Sequence, residues 1–514
     1  MMRQKLGESL DVKQMYKRFN YAEDGKYPIL YASSIIQLYR DGISNGEEFE
    51  KEILNREVIS PVIGNHKKSL MLMEKSFIQP KSIFIKLQYL ILVANAIPSS
   101  FYKEIGVSYN TIIRTTLSII LYYLTLQTRD YGVKVMTSSQ EKHLLGRKDY
   151  IVGITDLKKV CGQMERADFL RFLDYYSVDV CNVNDNTREQ LYRLGEEAFI
   201  LSIDEFAEYV VYRTEELYKK SCDEKTYSEY TRKKGFGFEE LVFNALKICS
   251  GEIYHELYYH PNLKQKVELD IVIKDKSDLA VLECKSGTLN LNVVENDDGV
   301  KLKIRNITQK AFRSLYSLED YLKKTETYVF SSRDKKITIS GKCSTPILMS
   351  VSMYSMDFIS SNIHTLFPDY MTNKANPILQ ISFEHLMAIA LDTCRNGENM
   401  WDYFKQRREL IKAYPDMRFE NNELDLYHEI SNSNKHSMLA QLREKGLLEQ
   451  ISPQATVLGT YHDEFGNEYR PASKLLYNVD SFLLYRIVKT GKSDFSINNR
   501  FLRFFEEFII LNDN

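Results

Sequence analysis

A chain of 514 residues, 44% hydrophobic and 27% charged, is too long for one ordinary domain and is expected to fold as about two to four. Its formal net charge of −2 excludes a uniformly basic surface, so any contact with nucleic acid must be local. No apolar stretch reaches the length of a membrane span, and the N-terminal MMRQKLGESLDVKQ lacks the apolar core of a signal peptide, which together imply a cytoplasmic protein without membrane contact.

Residues 1–224 read as a mainly helical region for recognition, oligomerisation or regulation. Apolar residues recur at helical spacing through 28–39, 82–96, 110–127 and 167–176, and 204–220 reads as a further helix. Turn-forming clusters break the pattern at Gly42-Ile43-Ser44-Asn45-Gly46 and at Asn182-Val183-Asn184-Asp185-Asn186. Tyr150 to Thr155, YIVGIT, is one strand-like run and too little for a nucleotide-binding sheet. This region carries no catalytic constellation.

A linker at 221–230 leads into a second region, 225–358. There Gly235-Phe236-Gly237-Phe238-Glu239 opens an amphipathic helix that Gly251 ends, and 252–259 reads as a strand. Two β-rich runs follow, 267–274 and 279–285, with Asp275-Lys276-Ser277-Asp278 as the turn. A symmetric loop of two or four residues, centred between Lys276 and Ser277, sets Asp270 opposite Glu283 and Glu268 opposite Lys285. Directly opposed residues of an antiparallel pair project from the same side, so these four polar groups share one face. Leu269, Ile271, Ile273, Ala280, Leu282 and Cys284 share the other. A three-residue loop would shift the register by one and break the pairing. Opposed like charges destabilise a sheet, so Asp270 against Glu283 asks for a shared proton or a bound divalent cation. The plainer alternative is a solvated face carrying a Glu268–Lys285 salt bridge.

Residues 307–323 have helical periodicity, and either 325–330 or 346–353 supplies another strand. From Lys225 to Pro346 there are 21 Lys and Arg against 17 Asp and Glu, a local positive excess suited to a phosphate backbone. Arg232, Lys233, Lys234, Lys303, Arg305 and Lys310 flank the hairpin in sequence and are candidate nucleic-acid contacts, although each alone also fits an ordinary solvated charge.

The third region, 359–514, reads as helical and α+β. Helices are expected at 383–395, 400–413 and 436–448, followed by a hairpin signal around Asp463-Glu464-Phe465-Gly466-Asn467. A helix followed by a hairpin is compatible with a winged-helix module. Thr490-Gly491-Lys492-Ser493 is not a phosphate loop, because Arg486 stands where its first glycine would fall. Seven cysteines without CxxC spacing and nine histidines without HxxxH or HExxH spacing argue against a zinc site.

Asp270, the twelve residues after it, and Glu283-Cys284-Lys285 resemble the PD-(D/E)xK nuclease motif of the restriction-endonuclease-like fold. The family core runs helix, three strands, helix, strand, which is the order of elements expected between about 230 and 353. Its first helix often carries an acid in a G-x-x-F-E context. Glu239 matches that acid, with Glu240 as its neighbouring alternative, and either also fits an acid complementing a helix dipole. Leu269 replaces the proline that names the motif. The resemblance implies a multidomain α+β protein: a mainly helical N-terminal region, a central α/β restriction-endonuclease-like core with a mixed sheet, and a C-terminal α+β region.

It further implies a Mg²⁺-dependent endonuclease, with Mn²⁺ as a substitute. Asp270, Glu283 and the backbone carbonyl of Cys284 would hold the metal. Lys285 would position or activate water, with Glu239 completing or supporting the site. Glu268, Gln309 and Arg313 are weaker candidates, the last two from the start of the second helix. The expected substrate is nucleic acid, DNA ahead of RNA, in restriction or anti-phage defence. The chain would act as a homodimer or beside a partner subunit of a defence system. Two alternatives stay open: an effector nuclease switched by a nucleotide and cutting single-stranded DNA or RNA, and a catalytically idle nuclease-like scaffold.

Overall fold

The computed structural model describes residues 83–131, 152–161, 164–179, 190–200, 203–247, 251–288 and 297–413 with short breaks in the last two, and short pairs at 418–419, 423–424, 426–427, 456–457, 461–462 and 468–469. The protein is α+β. It divides into two compact units, and the division falls between Tyr230 and Thr231. Among the described residues no helix is long and apolar enough to cross a membrane.

The first unit is mainly helical. Its helices α1 (Ile83–Ala96), α2 (Ser99–Ile105), α3 (Tyr109–Tyr131), α4 (Ile154–Cys161) and α5 (Arg166–Tyr176) precede a small sheet of β1 (Val178–Asp179), β2 (Leu191–Leu194) and β3 (Glu197–Ile200), and α6 (Ile203–Ser221) follows it. Helix α1 is apolar nearly all round and is buried against α3 and α6. Its Lys86 is buried too, and pairs with Glu208 of α6 at 3.6 Å. The strand-like YIVGIT contributes a single bridge, Val152 to Ala198, and then turns into α4. The helix expected at 28–39 lies outside the described residues.

The division between the units falls within a helix that sequence patterning starts too late. Helix α7 spans Glu224–Leu246, so most of the supposed linker is its first turns. Asp223 caps it, its carboxylate accepting the Thr226 N–H at 2.7 Å. Gly235 and Gly237 therefore lie inside the helix, where each costs about 1 kcal/mol relative to alanine. Burial of Tyr230, Phe238, Leu241 and Val242, about 1.5–3 kcal/mol for each large side chain, outweighs that cost.

A seven-stranded mixed sheet follows, in the order β10-β9-β6-β5-β4-β7-β8. Its strands are β4 (Glu252–Asn262), β5 (Gln265–Asp275), β6 (Asp278–Lys285), β7 (Thr327–Ser331), β8 (Lys336–Ser340), β9 (Ile347–Ser352) and β10 (Leu379–Ser382). Strands β4, β5 and β6 form an antiparallel meander. Helix α8 (Asp297–Leu322) packs on β6, β9 and β4 within the crossover from β6 to the parallel β9. Of the two segments offered for the returning strand, 346–353 supplies the one beside β6. The other, 325–330, forms an outer hairpin with β8, against β4.

The β5–β6 ladder has the register derived from the turn: Asp275 faces Asp278, and the pairs continue to Ile271 opposite Leu282. Both faces of the hairpin are covered, not one. Val272 and Val281, on the side of the acids, are as buried as Ile271 and Leu282 on the other.

The unit also runs past residue 358, where sequence patterning places a boundary. Strand β10 joins the sheet, and α9 (Phe383–Arg395) and α10 (Met400–Ala413) pack on β9. Asn399 donates to Asp275 at 2.8 Å and Lys405 to Asp278 at 2.6 Å, so the turn of the central hairpin is tied down by residues beyond that boundary. Further on, β11 (Tyr461–His462) and β12 (Glu468–Tyr469) pair antiparallel, while the turn signal at 463–467 lies outside the described residues. The helix expected at 436–448 lies outside the described residues.

Candidate functional site

Three elements of the second unit bring Glu239, Asp270, Glu283 and Lys285 together. Strands β5 and β6 supply Asp270, Glu283 and Lys285, and α7 supplies Glu239. Glu239 lies deep in α7, more than three turns from its N-terminus, so complementing a helix dipole does not account for it. Its neighbour Glu240 is exposed.

The ladder changes character at Asp270. One step beyond the Ile271–Leu282 pair, the Asp270 carboxylate itself accepts the Cys284 N–H at 2.7 Å. The Lys285 ammonium lies 3.0 Å from Glu283 Oε2, 3.0 Å from the Cys284 carbonyl oxygen and 3.8 Å from Asp270 Oδ2. Three oxygens from three residues thus surround one cation. Glu283 is 5% exposed, and its Oε1 accepts the Ser314 hydroxyl of α8 at 3.1 Å. The alternative Glu268–Lys285 salt bridge is not what forms: Lys285 turns to Glu283 and Asp270, while Glu268, at the exposed edge, accepts the Tyr258 hydroxyl at 2.9 Å.

The electrostatics follow from burial and crowding. Burial first, then the charge of Asp270, lifts Glu239 to about 8. The same two causes lift Glu283 to about 7. Asp270 is also raised, chiefly by burial, against the pull of Lys285 and the Cys284 N–H. Burial works against the charge of Lys285, but Glu283 and Asp270 outweigh it and hold its pKa above the ordinary lysine value. Three acids against one lysine leave excess negative charge, which protons relieve at neutral pH.

A divalent cation is the other means of relief, and the donor set can be tested for it. Among the described residues no three His, Cys, Asp or Glu side chains form a ligand cluster on their own. The geometry offers two carboxylates and one carbonyl, now gathered around the Lys285 ammonium. Mg²⁺ needs one or two carboxylates and keeps several waters, so this set fits it.

The remaining candidates separate. Helix α8 starts at Asp297, so Gln309 and Arg313 lie in its interior and not at its start; Gln309 is half-buried and Arg313 exposed. Lys234 is 3% exposed and donates to Thr288 at 3.2 Å, which removes it from the surface contacts. Its neighbours Arg232 and Lys233 are exposed, with Arg232 over the Phe236 ring at 5.6 Å. Arg305 lies over Phe367 at 5.3 Å, Lys310 is exposed, and the side chain of Lys303 lies outside the described ones. Ser314 was not foreseen. A signal existed: at i+3 from Ala311 and i−4 from Leu318 it is a polar residue on the buried stripe of α8.

Comparison of the chain with protein-family models, with curated proteins and with solved structures finds no match. The site therefore rests on its own geometry.

Proposed function

We propose that the protein is a cytoplasmic, Mg²⁺-dependent endonuclease of the PD-(D/E)xK kind, acting on DNA in restriction or anti-phage defence. The observation that carries this reading is the convergence of Asp270, Glu283 and the Cys284 carbonyl on a single cation, beside a raised Glu239. The order of elements in the second unit, helix, three antiparallel strands, helix and a parallel strand beside β6, supports a restriction-endonuclease-like core.

In this reading Asp270, Glu283 and the Cys284 carbonyl hold the metal. Bound there, Mg²⁺ supplies Lewis acidity toward the phosphate and an activated water. Lys285, kept cationic by its two acids, orients that water and stabilises charge developing on the phosphate. Glu239 supports the carboxylate pair from the helix. Arg232 and Lys233, exposed one to two turns before Glu239, offer charge to the nucleic-acid backbone.

The test is incubation with supercoiled plasmid and Mg²⁺ or Mn²⁺, beside EDTA and Lys285→Ala. Metal-dependent cutting lost in the variant is the expected result. Equal cutting by both proteins rejects the mechanism. A second reading has one observation in its favour: the Lys285 ammonium already lies among the metal-holding oxygens, as a permanent internal counter-ion would in a nuclease-like scaffold. Failure of the wild type to bind either metal selects the scaffold, whereas metal binding without cutting points to a nuclease that needs an activator.

A further inference from the structure

A polar line leaves this site through the core of the sheet. In the parallel ladders, Glu283 of β6 is the partner of Ser350 in β9, and Ser350 is the partner of Gln380 in β10. Lateral neighbours in a sheet project to the same side, with strands about 4.8 Å apart. Glu283, Ser350 and Gln380 thus form one row on one face. Ser350 is 0% and Gln380 2% exposed. Among the described residues, neither the Ser350 hydroxyl nor either amide atom of Gln380 has a hydrogen-bonding partner.

The next row behaves differently. Lys285, Ser352 and Ser382 are its partners. Ser352 donates to the Tyr354 carbonyl at 2.8 Å, and Ser382 accepts the His385 N–H at 3.3 Å. Its hydroxyls are satisfied locally, whereas the row of Glu283 carries three buried polar atoms that are not. Such groups persist in folded proteins where ordered water satisfies them. A carboxylate has about four acceptor sites, and Ser314 and Lys285 account for two on Glu283.

We propose that Ser350 and Gln380 are positioning residues for Glu283. They hold ordered water in the interior row, and that water fixes the orientation of the Glu283 carboxylate toward a bound cation. Ser350 lies one strand spacing from both Glu283 and Gln380, and its hydroxyl bonds to neither, which leaves the row to a bridging water. The proposal rests on the reading of Asp270 and Glu283 as the metal-holding pair.

The experiment measures Mn²⁺ binding to the full chain by electron paramagnetic resonance, for wild type, Asp270→Asn, Ser350→Ala, Gln380→Met and the Ser350→Ala/Gln380→Met double variant. Thermal unfolding of each in EDTA runs beside it. Loss of outer-shell partners typically weakens metal affinity about 10–100-fold, which is the expectation for the double variant. Unfolding in EDTA of the double variant should be little changed, because both polar partners of the water are replaced together by apolar groups. Gln380→Met alone gives the same reading if the serine variant fails to fold. Unchanged Mn²⁺ affinity in the variants, with Asp270→Asn abolishing binding, overturns the positioning role and leaves the metal site standing. Weaker binding that merely tracks lost stability in EDTA also overturns it. Absence of Mn²⁺ binding by the wild type overturns the metal reading itself, and this proposal with it.

Discussion

Asp270 accepts the amide hydrogen of Cys284 at 2.7 Å, immediately beyond the last backbone pair of the hairpin. One oxygen of its carboxylate thus takes the place a strand carbonyl would have. The Cys284 carbonyl is engaged by Lys285. Asp270 is at once a structural acceptor and a neighbour of Glu283, and the two roles can be separated by substitution.

Asp270→Asn removes the charge and can keep an acceptor for the Cys284 N–H. In EDTA at pH 8 it should unfold at a higher temperature than wild type, because repulsion with Glu283 is gone. Asp270→Ala removes the acceptor as well and leaves a buried N–H unsatisfied, which costs about 1–3 kcal/mol. It should be less stable than the Asn variant by about that amount in chemical denaturation. Equal stability of the two variants would mean the hydrogen bond contributes nothing.

The metal-free protein should lose stability as pH rises from 5 to 8.5. Glu239 is lifted from its ordinary value of 4.5 to about 8 and Glu283 from 4.5 to about 7, both by burial and then by the charge of Asp270. A raised folded pKa means the folded state binds the extra proton. The stabilisation is therefore complete below the ordinary glutamate pKa and is lost as pH rises through about 7 and 8. Asp270 acts in the same direction. Lys285, raised above an already high value, stays protonated across this window and adds no slope. Melting temperature against pH in EDTA, for wild type and Glu239→Gln, measures this. A flat wild-type profile, or a variant with the same slope, would rule out the crowded-acid account.

The hairpin was legible because two signals with the same period agreed. Turn parity and alternation over 267–285 fix the register, and the Asp275–Asp278 pair obeys it. The start of α7 was not legible, because Gly235 and Gly237 have the local look of a helix boundary; burial of Tyr230 and Phe238 overrides it. Strand β10 was missed because Leu379-Gln380-Ile381-Ser382 is short and runs directly into a helix. Ser314, Ser350 and Gln380 are polar residues set among apolar neighbours in their elements. Such residues carry meaning only once their lateral neighbours are known, and those neighbours are 31 to 97 residues away from Glu283 in the chain.

Mg²⁺ or Mn²⁺ should stabilise the protein, and more strongly at pH 8 than at pH 6. Metal binding at the carboxylate pair must displace the protons that the raised acids hold, so affinity rises as those protons leave. At a metal concentration of about 100 times Kd the gain is about 2.7 kcal/mol. Differential scanning fluorimetry at the two pH values, with Ca²⁺ and K⁺ as controls, reads this directly. A shift of equal size at both pH values would place the ion elsewhere on the protein.

Lys285→Met should be damaging without metal and tolerated with it. Lys285 is the cation nearest both Asp270 and Glu283, at 3.8 and 3.0 Å. Removing one partner of a buried ion pair costs about 3–5 kcal/mol when nothing else neutralises the survivor. Here the surviving acids can take up protons, so the loss in EDTA should be small at pH 5 and grow toward pH 8. Saturating Mg²⁺ gives the same oxygens another cation and should restore most of the lost stability. Cutting should not return, because the water is no longer oriented. Recovery of fold with metal but not of cleavage separates the two roles of this lysine. Recovery of neither would make Lys285 a purely structural counter-ion, as the scaffold reading requires.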